Sequence, residues 1–488
     1  MEFSKYDCNG FFDELLTQDG QPRDGCALLL EKLQQLEAAE VRRKQETAVT
    51  NLTAMGVTFR VYGEETANLE RTIPFDILPR VIPGSQWDAI EKGLSQRLRA
   101  LNLFVDDMYH EQKAISDDVM PRWVLDNAKG FLPQCIGLDP PSGIWSHFCG
   151  TDLVRDEHGR FLVLEDNLRV PSGISYVLLN RELTKRNFPE IFQKSNVRQV
   201  IDFPTQFKNL MHSLMPHVED PTLALLTPGI YNAAYFEHSW LALKMGADLV
   251  EGRDLVYDGQ YLCMRTTRGL RKIDILYRRI DDLYIDPLVF NADSTLGCPG
   301  MMKAFRKGNL AIVNTPGTGV ADDKVVYRFV PRFIEYYLGE KPILPNVETR
   351  MCALKEDLDY TLDNLEKLVV KPAAESGGYG MLVGPKATKD EVEAFRQTLL
   401  DNPANYISQP TLKLSTVPTF DESGEIVGRH VDLRPFAIHG AKDVHVIAGG
   451  LTRVALKSGS LVVNSSQGGG TKDTWIVDNT DAGGFAPC

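Results

Sequence analysis

GTDLVRDEHGRFLVLEDN, residues 150–167, consists of two apolar runs around a polar turn containing His158 and Gly159, the pattern of a β-hairpin. Alternate side chains of a strand share a face, so Glu165 and Asn167 are expected to project to one side together with Phe161 and Val163. The Cα atoms of Glu165 and Asn167 then lie roughly 6.7 Å apart, close enough for two oxygens to converge on one hard cation. A turn of two or four residues centred on Glu157–His158 sets Asp152 opposite Val163, and a two-residue turn at His158–Gly159 sets it opposite Glu165. In either register Asp152 joins that face. An Asp, a Glu and an Asn, completed by water and phosphate oxygens, suit Mg2+. Taken alone, the pattern equally describes a solvated strand end with incidental acids, so its meaning depends on the rest of the chain.

Downstream, LVVKPAAESGGYGMLVGP (residues 368–385) is an apolar strand that delivers Lys371, followed by a polar loop with Gly377, Gly378 and Gly380. Glycine lets backbone N–H groups approach and cradle a phosphate, and lysine supplies a point charge for a phosphoryl oxygen. The loop is neither GxxxxGK[ST] nor GxGxxG, both of which are absent from the chain. A glycine-rich hairpin turn is the plain alternative. Further on, Asp432 and Arg434 share a strand face in HVDLRPFAIHG, Arg453 lies on the next strand, and Asn464 precedes Gly468, Gly469, Gly470 and Lys472. Two guanidiniums and an ammonium could clamp a triphosphate or a developing acyl phosphate, or could be ordinary surface cations on a β-meander. Upstream of the glycine loop, Asp322 and Asp323 precede Lys324 at the start of a helix.

A chain of 488 residues is too long for one ordinary core, so two or three domains are expected. A net charge of −13 argues against nucleic acid or an anionic membrane as partner. No apolar run is long enough to span a bilayer and the N-terminus lacks the pattern of a signal peptide. The eight cysteines are scattered without a CxxC pair, so a reducing, cytoplasmic setting is the default expectation. Residues 25–55 read as one long amphipathic helix and residues 86–114 as another, with Leu94, Leu98, Leu101 and Val105 on one stripe. Residues 222–320 alternate strand and helix, which predicts a parallel α/β unit whose first strand ends at a ligand-facing Thr227-Pro228-Gly229 loop. Residues 321–345 read as a helix ending at a Pro-flanked break, after which strands dominate. The expected division is residues 1–215, 216–320 and 321–488. Arg80, Arg278 and Arg279 are candidates for a substrate carboxylate. They could equally pair with acids such as Asp281, Asp282 and Asp286.

The order Asn314, Asp323-Lys324, Val370-Lys371-Pro372, glycine loop, Ile407-Ser408-Gln409, Asp432-x-Arg434, Arg453, Asn464 and glycine triplet resembles the ATP-grasp superfamily of carboxylate–amine ligases. In that superfamily an Asp strand and an ExN strand come last. Here they stand first, at 150–167, which is a circular permutation. The chain is most similar to the circularly permuted type 2 ATP-grasp proteins, sometimes called glutathionylspermidine-synthase-like. YFEHSWLALKMGADLVEGRDL, YRRIDDLYIDP, IPFDILPRVIPGSQW and GGGTKDTW also look like that family.

The resemblance implies an α/β fold with α+β elements, namely a permuted ATP-grasp module with a Rossmann-like domain before its nucleotide half. It implies that Asp152, Glu165 and Asn167 hold Mg2+. Lys324 and Lys371 would meet ATP, and Gly377, Gly378 and Gly380 would form a lid over its phosphates. The strand from Ile407 to Leu412, with Gln409, would be the adenine hinge, and Lys472 would reach the phosphates. Arg434, Arg453 and Asn464 would stabilise the transferred phosphoryl group. Two positions depart from the family pattern: Pro410 follows the hinge Gln where many members carry Glu, and Gly150 stands where many ligases carry Arg. The implied activity is ATP- and Mg-dependent joining of a small-molecule or peptide carboxylate to an amine through an acyl phosphate. A small-molecule phosphotransferase and a non-catalytic ATP-binding protein are the alternatives.

Overall fold

The computed structural model describes residues 3, 6–8, 10–59, 71–374, 380–421, 424–456, 459–460, 463 and 469–478. Its largest sheet gathers strands from both ends of that span. Across the sheet they run Phe75–Pro83, Gly470–Val477, Val444–Val454, Ile426–His439, Phe148–Arg155 and Phe161–Asn167, and Thr416–Phe420 also pairs with Ile426–His439. Phe75–Pro83 and Gly470–Val477 run parallel, and the other pairs are antiparallel. Both faces of this sheet are covered. Ile476 faces one core with the helix Gly84–Tyr109, while its neighbours Trp475 and Val477 face another with the helix Ile174–Asn187, as strand alternation requires. The expected stripe Leu94, Leu98, Leu101 and Val105 is buried on the first of these helices.

The parallel α/β unit expected over 222–320 is present. Its strand order is Ala311–Val313, Ile275–Arg278, Leu223–Leu226, Asp248–Val250, all parallel, with the helix Tyr235–Met245 connecting the last two. Asn314 ties this sheet to the hairpin. Its buried Oδ1 accepts the N–H groups of His147 and Phe148, and its Nδ2 donates to the carbonyls of Phe148 and Leu168. One amide therefore fixes both ends of the hairpin against the α/β unit, a tie that accounts for Asn314 without a ligand.

A second antiparallel sheet contains Arg350–Met351, Tyr406–Pro410, Leu368–Pro372 and Leu382–Val383. The strands that follow it, from Thr416 onward, join the large sheet, Ile426–His439 lying beside Phe148–Arg155.

Two helical expectations change. Residues 25–55 form two helices, Ala27–Gln35 and Ala38–Ala54, because Leu36 and Glu37 adopt extended backbone. The turn lets Leu29, Leu30 and Leu33 on one helix and Val41, Ala48 and Leu52 on the other enter the same core. The single helix expected after 321 is instead Lys324–Tyr327, Val330–Phe333 and a π turn, Ile334–Leu338. Among the described residues, no helix is long and apolar enough to cross a membrane.

Candidate active site

The hairpin turn is neither of the two expected forms. Asp156 N–H donates to Arg160 O and Gly159 N–H to Asp156 O, with Gly159 at φ +78°, where a glycine is favoured. This pairs Arg155 with Phe161 and Leu153 with Val163. The register then slips by one residue, so that Asp152 faces Glu165 and Gly150 faces Asn167. The slip is a β-bulge, which re-aims every side chain beyond it. Asp152, Glu165 and Asn167 do share a face, but Phe161 and Val163 lie on the other one, against expectation. The physical reason is a competing partner. Val163 donates its N–H to Pro345 O and accepts from Val347 N, and its side chain is fully buried.

Asp152 is 1% exposed and accepts three hydrogen bonds: from Arg434 Nε at 2.5 Å, Arg434 Nη2 at 2.8 Å and Arg453 Nη2 at 2.7 Å. Arg453 also grips Asp432 through Nε and Nη2. Burial alone would raise the Asp152 pKa, but Arg434 and then Arg453 outweigh it and hold the carboxyl well below the usual range. Burial dominates at Asp432 and raises its pKa, Arg453 opposing. Gly150 makes room for this arrangement. A Cβ there would lie 3.3 Å from Arg434 Cδ and 3.2 Å from Pro171, so the bare position lets the Arg434 stem cross the strand.

Glu165 is differently placed. Its oxygens lie 3.8 Å from Arg434 Nη2 and 3.9 Å from Lys324 Nζ, beyond hydrogen-bond length, and its side chain is partly exposed. Asn167 Nδ2 is buried with no hydrogen-bond partner among the described residues. The two ends of an amide are assigned from their partners, so either end of Asn167 can face the cleft. A carboxylate and an orphaned amide suit a Mg2+ whose remaining sites are phosphate oxygens and water. Asp152, with both oxygens already taken by arginine, fits an arginine holder better than a third ligand.

Lys371 projects from Leu368–Pro372 and donates to Gln409 Oε1 at 2.9 Å, and Gln409 Nε2 donates to Thr349 Oγ1 at 3.0 Å. Burial pushes the Lys371 ammonium down to about 8, with Lys324 adding to that shift and Glu165 opposing it. Leu412 packs with Val154, Leu162, Val347 and Leu414 in an apolar patch just past Gln409.

Glu165, Asn167 and Lys324 line a cleft of about 290 Å³ whose other wall carries Ser172, Asn232, His238 and Arg279. Ser172 joins the walls: its carbonyl accepts from Arg434 Nη1 at 3.4 Å and its hydroxyl from Arg279 Nη2 at 2.5 Å. Between them, Arg169 bonds Asp281 and lies 3.6 Å from Asp322, whose carboxyl is pushed up to about 7, chiefly by burial.

Three predicted binding residues are engaged elsewhere. Lys472 is fully buried in an ion pair with Asp76 and also donates to Leu78 O. Arg80 is held by Glu14 and donates to Asp432 O. Arg278 pairs with Asp282, the local acid that the sequence offered as the alternative, and donates to Asn314 O. Of the three substrate candidates only Arg279 reaches the cleft. Gly380 is described, at φ +67°, whereas Gly377, Gly378 and Asn464 lie outside the described residues. The individual residues Ser172, Asn232 and His238 were not singled out from the sequence. The signal that points to the last two is the Thr227-Pro228-Gly229 loop, which leaves a parallel strand at its carboxyl end.

Comparison with known proteins places the match over residues 79–455 in the family described as circularly permuted ATP-grasp type 2. An uncharacterized protein of Synechocystis is 52% identical over 98% of this chain and 100% of its own length. A Frankia casuarinae protein with the provisional name glutamate–cysteine ligase 2-2 is 39% identical over 95% of this chain, which spans 53% of that protein. Among solved structures, a glutathione synthetase-like effector from Globodera pallida in its apo form superposes with a TM-score of 0.60, at 11% identity, over 91% of this chain and 98% of its own. That last likeness is one of fold.

Proposed function

This chain belongs to the circularly permuted ATP-grasp type 2 family, and on that premise we propose that it joins a carboxylate to an amine with cleavage of ATP to ADP and phosphate. The observation that carries the reading is the division of labour on one sheet face. Asp152 is consumed in holding Arg434 and Arg453, while Glu165 and Asn167 remain available toward the cleft. In the reaction, a carboxylate oxygen attacks the γ-phosphorus and the bond to ADP breaks, giving an acyl phosphate. Arg434 and Arg453, fixed before substrate arrives, offset charge on the transferred phosphoryl group without reorganising. Glu165 and Asn167 would hold magnesium, which supplies charge neutralisation at the phosphate oxygens. Lys371, braced by Gln409, would contact a phosphate, and the Leu412 patch would support the adenine. The ligase name of the Frankia relative supports an amino-acid or peptide carboxylate as substrate.

The test is calorimetric titration of ATP with and without Mg2+. Wild type is expected to bind only with the metal. Glu165→Gln and Lys371→Ala should each weaken binding roughly 10- to 100-fold, the value of a charge-assisted contact. No binding by wild type at millimolar ATP would sink the proposal. With binding shown, phosphate release over a panel of amino-acid and peptide carboxylates identifies the substrate. A stable phosphorylated product would point to a kinase instead.

Lys371 adds a pH signature. A phosphate beside it favours the charged ammonium, so ATP binding should take up a proton where the empty site is partly deprotonated, near and above pH 8. Affinity should therefore fall as pH rises past about 8. Titrations at pH 8.5 in two buffers of different ionisation enthalpy measure that uptake. Lys371→Met should abolish it, and an unchanged uptake would assign the proton to another group.

A further inference from the structure

Amide formation from an acyl phosphate requires a proton acceptor that the phosphoryl side of the cleft does not offer. Asp152 is saturated by two guanidiniums, Glu165 is assigned to magnesium, Asp166 is held by Arg97, and Asp281 and Asp322 are turned to Arg169, with Asp322 also accepting the Leu168 N–H. The opposite wall holds one imidazole. His238 stands in the first turn of Tyr235–Met245, 1% exposed, and lines the cleft with Arg279 and Asn232. Its Nδ1 lies 2.9 Å from Thr227 Oγ1, and that oxygen accepts the Gly229 N–H at 3.2 Å. Among the described residues Nε2 has no hydrogen-bond partner, and the ring lines the cleft.

The adjacent carboxylate does not pair with this ring. Glu237 Oε2 accepts from Gly173 N, Ser175 N and Ser175 Oγ, and Oε1 accepts from Arg279. Burial, reinforced by Arg279, keeps the imidazole neutral. A base at Nε2 requires the tautomer in which Nδ1–H donates to Thr227 and the lone pair lies on Nε2. Arg279 and Arg434 both bond Ser172, so the imidazole wall is physically joined to the arginine that would handle the phosphoryl group.

We propose that His238 is the general base of the second half-reaction, accepting a proton at Nε2 from the attacking amine. The inference rests on the ligase reading above. The amine nitrogen attacks the acyl carbon, the C–N bond forms, and the C–O bond to phosphate breaks with its electron pair leaving on phosphate. One N–H proton of the adduct passes to Nε2 and then to solvent. Thr227 orients the ring and takes no part in bond making.

The experiment uses hydroxylamine as a probe nucleophile, because it is unprotonated at neutral pH and reacts with acyl phosphates without help. Full-length wild type and His238→Ala are incubated with Mg-ATP and a panel of amino-acid and peptide carboxylates. Hydroxamate formation is compared with amide formation from alkyl and amino-acid amines. His238→Ala should form hydroxamate within about two-fold of wild type but lose amide formation by roughly 10²- to 10⁴-fold, the usual range for a general base. Added imidazole should restore part of that loss. Equal loss of both products, or no response to imidazole, overturns the role of His238 and leaves the ligase reading intact. No hydroxamate from wild type with any carboxylate overturns both.

Discussion

Arg453→Met is expected to destabilise the protein by about 3–5 kcal/mol and to abolish ATP-dependent ligation. Arg453 lies between two buried carboxylates, bonding Asp432 through Nε and Nη2 and Asp152 through Nη2. Removing the guanidinium leaves Asp432, 1% exposed, without a cation, and a buried charge with no partner costs far more than the pair contributed. The stability loss and the activity loss have different origins and can be separated. In the double variant Arg453→Met, Asp432→Leu the orphaned carboxylate is gone, so urea unfolding should return to near the wild-type midpoint. Turnover should stay absent, because the phosphoryl group has still lost a preset positive charge. A double variant that recovers both stability and turnover would remove Arg453 from the chemistry.

The second large effect concerns Asp152, and it distinguishes an arginine holder from a metal ligand. Asp152→Asn keeps the shape of the side chain but replaces one of two accepting oxygens with a donor. It can no longer take both Nε and Nη2 of Arg434 while also receiving Arg453. The two guanidiniums then lose their fixed direction, and turnover should fall by about 10²- to 10³-fold or more, the penalty seen when one preorganised donor is lost. The magnesium concentration giving half-maximal rate should remain within a few-fold of wild type, whereas Glu165→Gln should raise it strongly. A large rise for Asp152→Asn would return Asp152 to the metal.

Legibility in the sequence follows the distance between partners. Lys371 and its strand, the Asp432-x-Arg434 pair and the hairpin are local patterns, and the order of these pieces carried the family and the fold. What was hidden depends on contacts that no window contains. Lys472 has the appearance of a phosphate ligand after a glycine triplet, but Asp76, 396 positions away, neutralises it inside the sheet. Arg80 meets Glu14, 66 positions earlier. Arg278 was the readable case, since Asp282 stands four positions on. The faces of Phe161 and Val163 were misassigned because strict alternation cannot foresee a bulge imposed by Pro345 and Val347. Asp152 stood in the right place with an expected role that its three guanidinium bonds argue against.

The large sheet also constrains how the molecule is made. Its parallel pair joins Phe75–Pro83 to Gly470–Val477, and Arg434 bonds Asp152 across 282 positions. Closing loops of that length is entropically costly and kinetically slow, so such pairing belongs late in folding. The hairpin leaves the ribosome long before the strands that flank it exist. Its strand Phe148–Arg155 then has an edge with no neighbour, and edges of that kind recruit other chains. A nascent chain stalled before residue 426 would hold Asp152 without Arg434 or Arg453, the two arginines that it accepts from. During synthesis, then, the order of segments in this chain should make it more dependent on chaperone protection of Phe148–Arg155 than an arrangement in which 150–167 came last.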